Sequence, residues 1–321
     1  MSAPRLRWVA PPGADEALGV LLARLAPNLD AALAEGRVFV AGRRAADAAL
    51  RLTPGTVVEV HAARAPTGGV TLLGEHAGLV FVSKPAGVAT EPDHAGVAGS
   101  LVELVARELA LPRGELHAVS RLDVGVSGVV TFARSAAGRE LAAELRARGA
   151  FLRRYVAVAA GAPVPAEGTW NSALARRPRA SERSHDERPA ETRYATAGRA
   201  GRVVVAGPEH ARVELEPTLL ALSPVTGRTH QLRVHAARAS VPFFGDGAYG
   251  GAQRLVLANG SVRALGRVCL HAAWVELELG RDRLRVEAPP PDDLVALWSD
   301  CGGAPEAWSR ALEIALVSPK G

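Results

Sequence analysis

Apolar positions recur along the chain with two different periods, and the switches between them outline the elements. Ala14 to Leu25 has helical spacing, with Asp15 and Glu16 early enough to face a helix N-terminus. A second short helix is expected from about Asn28 to Ala34, stopped at Glu35-Gly36. Arg37 to Val40 and Val57 to His61 then have strand composition, with a turn at Ala41-Gly42-Arg43 and Gly55 leading into the second run. Ala62 to Gly69, AARAPTGG, has the composition of a linker.

Beyond the linker, short β-branched runs alternate with helical ones. Leu79 to Ser83, Ser127 to Phe132 and Phe151 to Ala159 predict strands. Val203 to Val205 and Val213 to Leu222 predict a pair of antiparallel strands. Val268 to Leu279 with Leu284 to Val286 predicts a hairpin, closed by Pro289 to Pro291. Ser100 and Glu103 form a capping-box pattern ahead of a helix whose Leu101, Leu104, Val105 and Leu109 share one face. Ser135 opens another helix to about Ala147, with Leu141 and Leu145 inward. Thr229 is the expected N-cap of a helix over His230 to Arg238. Asp292 to Trp298 and Pro305 to Val317 predict two peripheral helices. Ala175 to Arg193 loses periodicity and predicts a mobile loop. Its Arg176, Arg177, Arg179 and Arg183 are placed either to grip phosphates or to form a solvated insertion.

Composition narrows the possibilities. The chain has 321 residues, enough for a large core plus a small appendage. No segment reaches the ~18 uninterrupted apolar residues of a membrane helix, and Met1 to Pro12 lacks a signal-peptide core, so a soluble cytoplasmic protein is expected. Cys269 and Cys301 allow one bridge at most and have no CxxC spacing, which supports neither a disulfide framework nor a zinc site. The formal net charge is +5, which favours a polyanionic partner. Almost all the positive charge is arginine. Lys84 and Lys320 are the only lysines, so Lys84 marks either chance survival or a place near an apolar strand end where a guanidinium fits badly.

The candidate chemistry centres on His117 to Thr131, HAVSRLDVGVSGVVT, where Asp123 precedes a glycine-punctuated turn into an apolar strand. Taken alone, Arg121-Leu122-Asp123 reads as a surface ion pair or as a carboxylate displayed on a loop by a rigid sheet. A second stretch, SPVTGRTHQLRVHAA at Ser223 to Ala237, changes that balance. Together with SKPAGVATEP at Ser83 to Pro92 and VPFFGDGAYG at Val241 to Gly250, these two stretches resemble the RluA-type pseudouridine synthases, in the family's order. The related RsuA-type enzymes share the Arg-Leu-Asp loop but not the long His-Gln-Leu-Arg-Val-His block. The first sixty residues resemble the αL RNA-binding motif, except that the expected second helix reads LDAALAEG where that motif is basic. This module is therefore either an RNA contact or a structural appendage.

The resemblance implies an α+β fold: a mixed, mainly antiparallel sheet with flanking helices, behind a small N-terminal α/β RNA-binding-like domain. The domains are expected over 1–64 (RNA-binding-like), 65–300 (catalytic) and 301–321 (helical tail). It implies conversion of uridine to pseudouridine in structured RNA by base flipping, without cofactor or metal. Asp123 would be the catalytic aspartate, as nucleophile or as base. Tyr155, in a basic-x-Tyr context, would stack on the uracil. Arg233 would hold Asp123 ionised, ideally through a bidentate pair. RNA contacts are implied at Arg121, Lys84, Arg228 and His230, with Arg121 filling the stack and Arg228 reaching a phosphate or a structural carbonyl.

The histidines 117, 230 and 235 match no metal-ligand spacing. No GxGxxG or Walker fingerprint is present either. Ribosomal large-subunit RNA is the favoured partner and transfer RNA the alternative, with a monomer expected. Two other classes compete: a catalytically silent RNA-binding or assembly factor, and a Lys84 Schiff-base lyase. The presence of Asp123, Tyr155 and Arg233 argues against the first, and the lack of a phosphate cradle against the second.

Overall fold

The computed structural model describes residues 5–25, 38–45, 47–61, 70–92, 99–112, 114–175, 187–206, 212–257 and 260–316. The chain divides into two compact units, residues 1–70 with 87–118, and residues 71–86 with 119–321.

In the first unit, Arg5–Val9, Val57–His61, Val38–Val40 and Arg43–Arg44 form an antiparallel sheet in that order. Leu18, Leu21 and Leu22 of the helix Leu18–Leu25 pack with Val38, Leu52 and Val58. The helix begins four residues later than its periodicity suggests. Glu16–Ala17 pairs instead as a strand with Arg51–Leu52, and the carbonyls of Leu50 and Ala48 accept from the N–H groups of Leu18 and Gly19. Asp15 bonds Arg51 at 2.7 Å rather than facing the helix end. The second expected helix, about 28–34, lies outside the described residues. The helix Leu101–Glu108 has the expected capping box at Ser100 and Glu103.

The second unit is built on a mixed, mainly antiparallel sheet. Its strands run Glu167–Ala175, Glu187–Arg199, Pro217–Pro224, Phe151–Ala160, Leu270–Leu279, Ser127–Ala133, Leu79–Lys84 and Thr71–His76, with Asp282–Glu287 also on Leu270–Leu279. The one parallel pair in this order joins the start of Ser127–Ala133 to Leu270–Leu279. The fold class is thus α+β, as expected.

Two cores flank the sheet. On one side Leu294, Leu297, Trp298, Trp308 and Ala311, from the helices Asp292–Asp300 and Glu306–Glu313, pack on Val156, Val158, Leu219 and Ala221. These helices were expected to be peripheral, yet Trp298 is among the most buried side chains of the molecule. Their apolar stripes, small in sequence, close the core. On the other side, Ala142 and Leu145 of the helix Ala136–Ala147, capped by Ser135, pack on Leu79, Phe81, Val129 and Phe151.

The predicted loop 175–193 is also corrected at its flanks. Glu167–Ala175 and Glu187–Arg199 are paired strands up to Ala175 and Glu187. Ala190, Thr192 and Tyr194 are buried by alternation, which the charged residues between them mask in the sequence. The arginines 176, 177, 179 and 183 lie outside the described residues. The run Val213 to Leu222 is likewise two strands. Arg212–Leu215 pairs with Val203–Ala206, and Pro217–Pro224 enters the large sheet. Among the described residues no helix is long and apolar enough to cross a membrane.

Candidate active site

Asp123 stands on a loop that both ends hold down. Behind it, the N–H groups of Val119 and Ser120 donate to the Thr131 carbonyl at 2.9 and 3.1 Å, and the Thr131 N–H donates back to the Ser120 hydroxyl at 2.9 Å. Ahead of it, the Val126 N–H donates to the Asp123 carbonyl at 3.0 Å, closing a four-residue turn. Leu122 and Val126 are buried under the loop, while the Asp123 side chain keeps 28% of its surface. Gly128 makes the approach possible. A Cβ there would lie 2.1 Å from the Ala272 carbonyl oxygen, at a φ of +116°, so only glycine lets the strand run beside Leu270–Leu279 immediately after the loop.

Lys84 closes the loop from below. It ends the strand Leu79–Lys84, is 1% exposed, and its Nζ donates to the carbonyls of Pro85 at 3.0 Å and Val124 at 3.3 Å. Burial pulls its pKa down from 10.5 to about 7; the Asp123 charge opposes the fall and Arg267 adds to it. A compact ammonium at an apolar strand end is where the sequence placed it.

The helix Gln231–Arg238 supplies the arginine. Thr229 was the expected cap, but the N-cap is His230, in the left-handed region at φ 55°, with no side-chain cap bond. That conformation costs a β-carbon residue about 1–2 kcal/mol. What it achieves is direction: His230 Nε2 lies 3.6 Å from Asp123 Oδ2, and its Nδ1 is hydrogen-bonded to the Tyr249 hydroxyl at 2.9 Å. The turn before the helix is tied through the buried Gln231. Its amide oxygen accepts from the Thr226 hydroxyl at 2.7 Å and the Arg228 N–H at 3.0 Å, and its amide nitrogen donates to the Glu191 carbonyl at 2.8 Å.

One turn into the helix, Arg233 Nη1 donates to Asp123 Oδ2 at 2.8 Å across 110 positions of sequence. The bidentate pair expected between these two residues is not formed. Nε and Nη2 donate instead to the two oxygens of Asp246, both at 2.7 Å, and Asp246 is 1% exposed. The guanidinium also lies 4.9 Å from the ring centre of Tyr249. Burial alone would lower the Arg233 pKa, but the hydrogen bonds and charges of Asp246 and Asp123 more than reverse this and hold it above the usual arginine range.

Tyr155 is buried on the strand Phe151–Ala160. A register shift against Leu270–Leu279 falls between Arg154 and Tyr155. A bulge of this kind re-aims neighbouring side chains. Burial raises the Tyr155 pKa; the charges of Arg153 and Arg146 oppose the rise and that of Asp123 adds to it. Its phenol is therefore neutral at physiological pH, and Asp123 is near enough to be felt.

The loop therefore gathers Lys84, Tyr155, His230 and Arg233 around Asp123. Arg228 is not among them, because its Nε donates to the Pro189 carbonyl at 3.2 Å, the structural option of the two expected. Arg121 is exposed, two residues before Asp123 on the same loop. The sequence reading missed Asp246, Tyr249 and Gln231 as parts of the site. For Asp246 and Tyr249 the signal was present as Gly-Asp-Gly-Ala-Tyr-Gly, two polar residues among glycines after a Phe-Phe pair. Among the described residues no group of three His, Cys, Asp or Glu side chains is arranged to hold a metal.

The sequence profile described as RNA pseudouridylate synthase matches residues 78–238, a span that holds both Asp123 and Arg233. The uncharacterized RNA pseudouridine synthase YhcT of Bacillus subtilis (strain 168) is 32% identical over 235 residues, covering 71% of this chain and 70% of its own. Ribosomal large subunit pseudouridine synthase D of Xanthomonas campestris pv. campestris is 34% identical over 252 residues, covering 74% of this chain and 70% of its own. Two solved human structures share the fold. RNA pseudouridylate synthase domain containing 1 superposes with a TM-score of 0.55 at 19% identity, covering 78% of this chain and 97% of its own. Domain containing 4 gives 0.53 at 20% identity, covering 73% and 94%.

Proposed function

The chain belongs to the RNA pseudouridylate synthase family and is an RNA pseudouridine synthase, and from that premise we propose that it isomerises uridine in large-subunit ribosomal RNA, with Asp123 as the reacting carboxylate. The substrate class is supported by relatives whose names specify the ribosomal large subunit. The observation that carries the site is the 2.8 Å bond between Asp123 and Arg233, two residues far apart in sequence that the fold brings to one solvent-reaching edge.

The reaction breaks the bond from ribose C1′ to uracil N1, turns the base and rejoins C1′ to C5, which gives up its proton. No electrons are exchanged, so the residues need to supply only a nucleophile or base, a charge partner and a platform. Asp123, as nucleophile or as base, opens the sequence. When a flipped uridine covers its remaining exposed surface, desolvation favours the neutral acid, and the Arg233 charge opposes this. Tyr155, held as a neutral phenol, is the stacking face for the base and a proton acceptor only once its own proton has been passed on. Extracting the base from its stack costs a few kcal/mol. Arg121, exposed on the same loop, offers a flat guanidinium to fill the gap.

The test is to map pseudouridines in ribosomal and transfer RNA from cells lacking the gene, complemented with wild type or with Asp123→Asn. A defined ribosomal uridine should lose its modification in the deletion and regain it with wild type alone. Restoration by the Asn variant would overturn the role of Asp123, and loss confined to transfer RNA would overturn the substrate.

A further inference from the structure

The motif Gly245 to Gly250 takes no part in the chemistry above, yet it delivers a fully buried carboxylate to the site. Its backbone is locked: the Asp246 N–H donates to the Phe243 carbonyl at 3.1 Å, and the Asp246 carbonyl accepts from Tyr249 at 3.1 Å and Gly251 at 2.8 Å. Asp246 has two described side-chain bonds, and both go to Arg233. We propose that Asp246 is a positioning residue for the reaction: it grips one edge of the Arg233 guanidinium so that a single nitrogen reaches Asp123, and it shares the guanidinium charge. The inference rests on the reading of Asp123 as the reacting group.

Stability does not account for the arrangement. A buried ion pair is often replaced by apolar residues of similar volume without loss, so two buried charges are weak evidence for a purely structural role. Geometry does account for it. A guanidinium offered whole to Asp123 would bind both of its oxygens in a fork and leave neither for substrate. With Asp246 in the fork, the described side-chain contacts of Asp123 both fall on Oδ2. Oδ1 is the oxygen left for the ribose or its proton. One guanidinium facing two carboxylates also leaves the trio with a net negative charge. The other titratable or charged groups around the trio are Lys84, Tyr155, His230, Tyr249 and Arg267. Tyr249 serves both arms, with its ring beside Arg233 and its hydroxyl on His230.

Two readouts on the full-length protein test this. The first is the single-turnover rate of tritium release from 5-tritiated-uridine ribosomal RNA, prepared from cells lacking the gene. Asp246→Asn, nearly isosteric, should slow this rate about 10²-fold, the scale of a misplaced reacting group, with RNA affinity within about twofold of wild type. The second is the titration of the Asp123 carboxylate by carbon-13 NMR, assigned by its loss in Asp123→Asn. In Asp246→Asn it should move to lower pH, because Arg233 then faces Asp123 with its charge unshared. Asp246→Glu, which keeps the charge, should titrate like wild type and recover part of the rate. A folded Asn variant with wild-type rate or wild-type titration overturns the proposal, as does a Glu variant that titrates like Asn. If Asp246→Asn is not recovered folded, Asp246→Leu carries the same two readouts, since it keeps the packing and removes the charge. A wild-type enzyme that releases no tritium would count against the reading of function. The titration would still decide the role of Asp246.

Discussion

Two sheltered arginines, Arg154 and Arg233, show what separates a candidate site from a core. Arg154 and Tyr155 are neighbours on Phe151–Ala160, but Arg154 points to the side packed by the C-terminal helices. It is 6% exposed, and its described bond is a 3.4 Å donation to the Ala311 carbonyl. Its guanidinium rests 5.1 Å from the ring centre of Trp274, whose ring Arg285 also approaches, at 4.4 Å. Burial, reinforced by Arg285, lowers its pKa to about 10. Arg233, half-buried, binds two carboxylates and is pushed the opposite way. Burial of a cation is thus no mark of function. Convergence of opposite charges, with one of them left open to solvent, is what sets the candidate site apart.

The converging charges are most vulnerable at Asp123. Asp123→Asn removes the exposed member of the converging set and should reduce turnover by at least about 10²–10⁴-fold, the range for loss of a positioned acid–base group, while the chain still unfolds cooperatively at about the wild-type denaturant midpoint. If activity survives, the converging charges are not the site. The next largest effect is on stability. Arg233→Met strands two carboxylates, one of them fully buried, and should cost about 3–5 kcal/mol in denaturant unfolding. Arg154→Met sharpens the contrast. Among the described residues no carboxylate pairs with Arg154, and a flexible apolar side chain can keep the contact with Trp274. It should therefore change stability by less than about 1.5 kcal/mol and leave tritium release untouched. Equal losses in the two Met variants would show that the arginines differ in name only.

How much of this was legible in the sequence differs between the same two regions. The Arg-Leu-Asp and Gly-Arg-Thr-His-Gln-Leu-Arg stretches pointed to the residues that the fold brings together, and the apolar runs located the strands, because short local patterns encode both. The competition for Arg233 was not legible. That a guanidinium gives its fork to Asp246 rather than to Asp123 depends on a turn 13 residues away in sequence, which glycines let approach. A Cβ on Gly245 would sit 1.8 Å from the Arg267 carbonyl oxygen. The left-handed His230 was hidden for a similar reason, since Thr229 has the better capping chemistry but the ring is needed one residue later. The C-terminal helices were underrated because alternating charged residues, Glu306, Arg310 and Glu313, disguise a stripe of Ala307, Trp308 and Ala311 that closes the core.

Lys84 is a further buried cation, and it tests which of the two arginines it follows. Its Nζ rests on carbonyls, as Arg154 does, yet Asp123 is close enough to raise its pKa, as Arg233 is raised. The balance is a pKa of about 7 in the folded chain against 10.5 for the free side chain. Between those two pH values the unfolded chain carries a proton on Lys84 that the folded chain does not, so stability from this group rises with pH across that window and is flat below it. Replacing Lys84 by Met removes the group. The wild-type unfolding free energy minus that of Lys84→Met should therefore climb from pH 7 to pH 9 by up to about 1.4 kcal/mol per unit, the value of one proton. The offset between the two curves depends on how the Pro85 and Val124 carbonyls are resolvated, but the slope does not. Denaturant melts at half-unit steps of pH measure it directly. Parallel curves would mean that Asp123 keeps the ammonium charged throughout, which would place Lys84 with Arg233 among the cations that the site, rather than the core, holds in place.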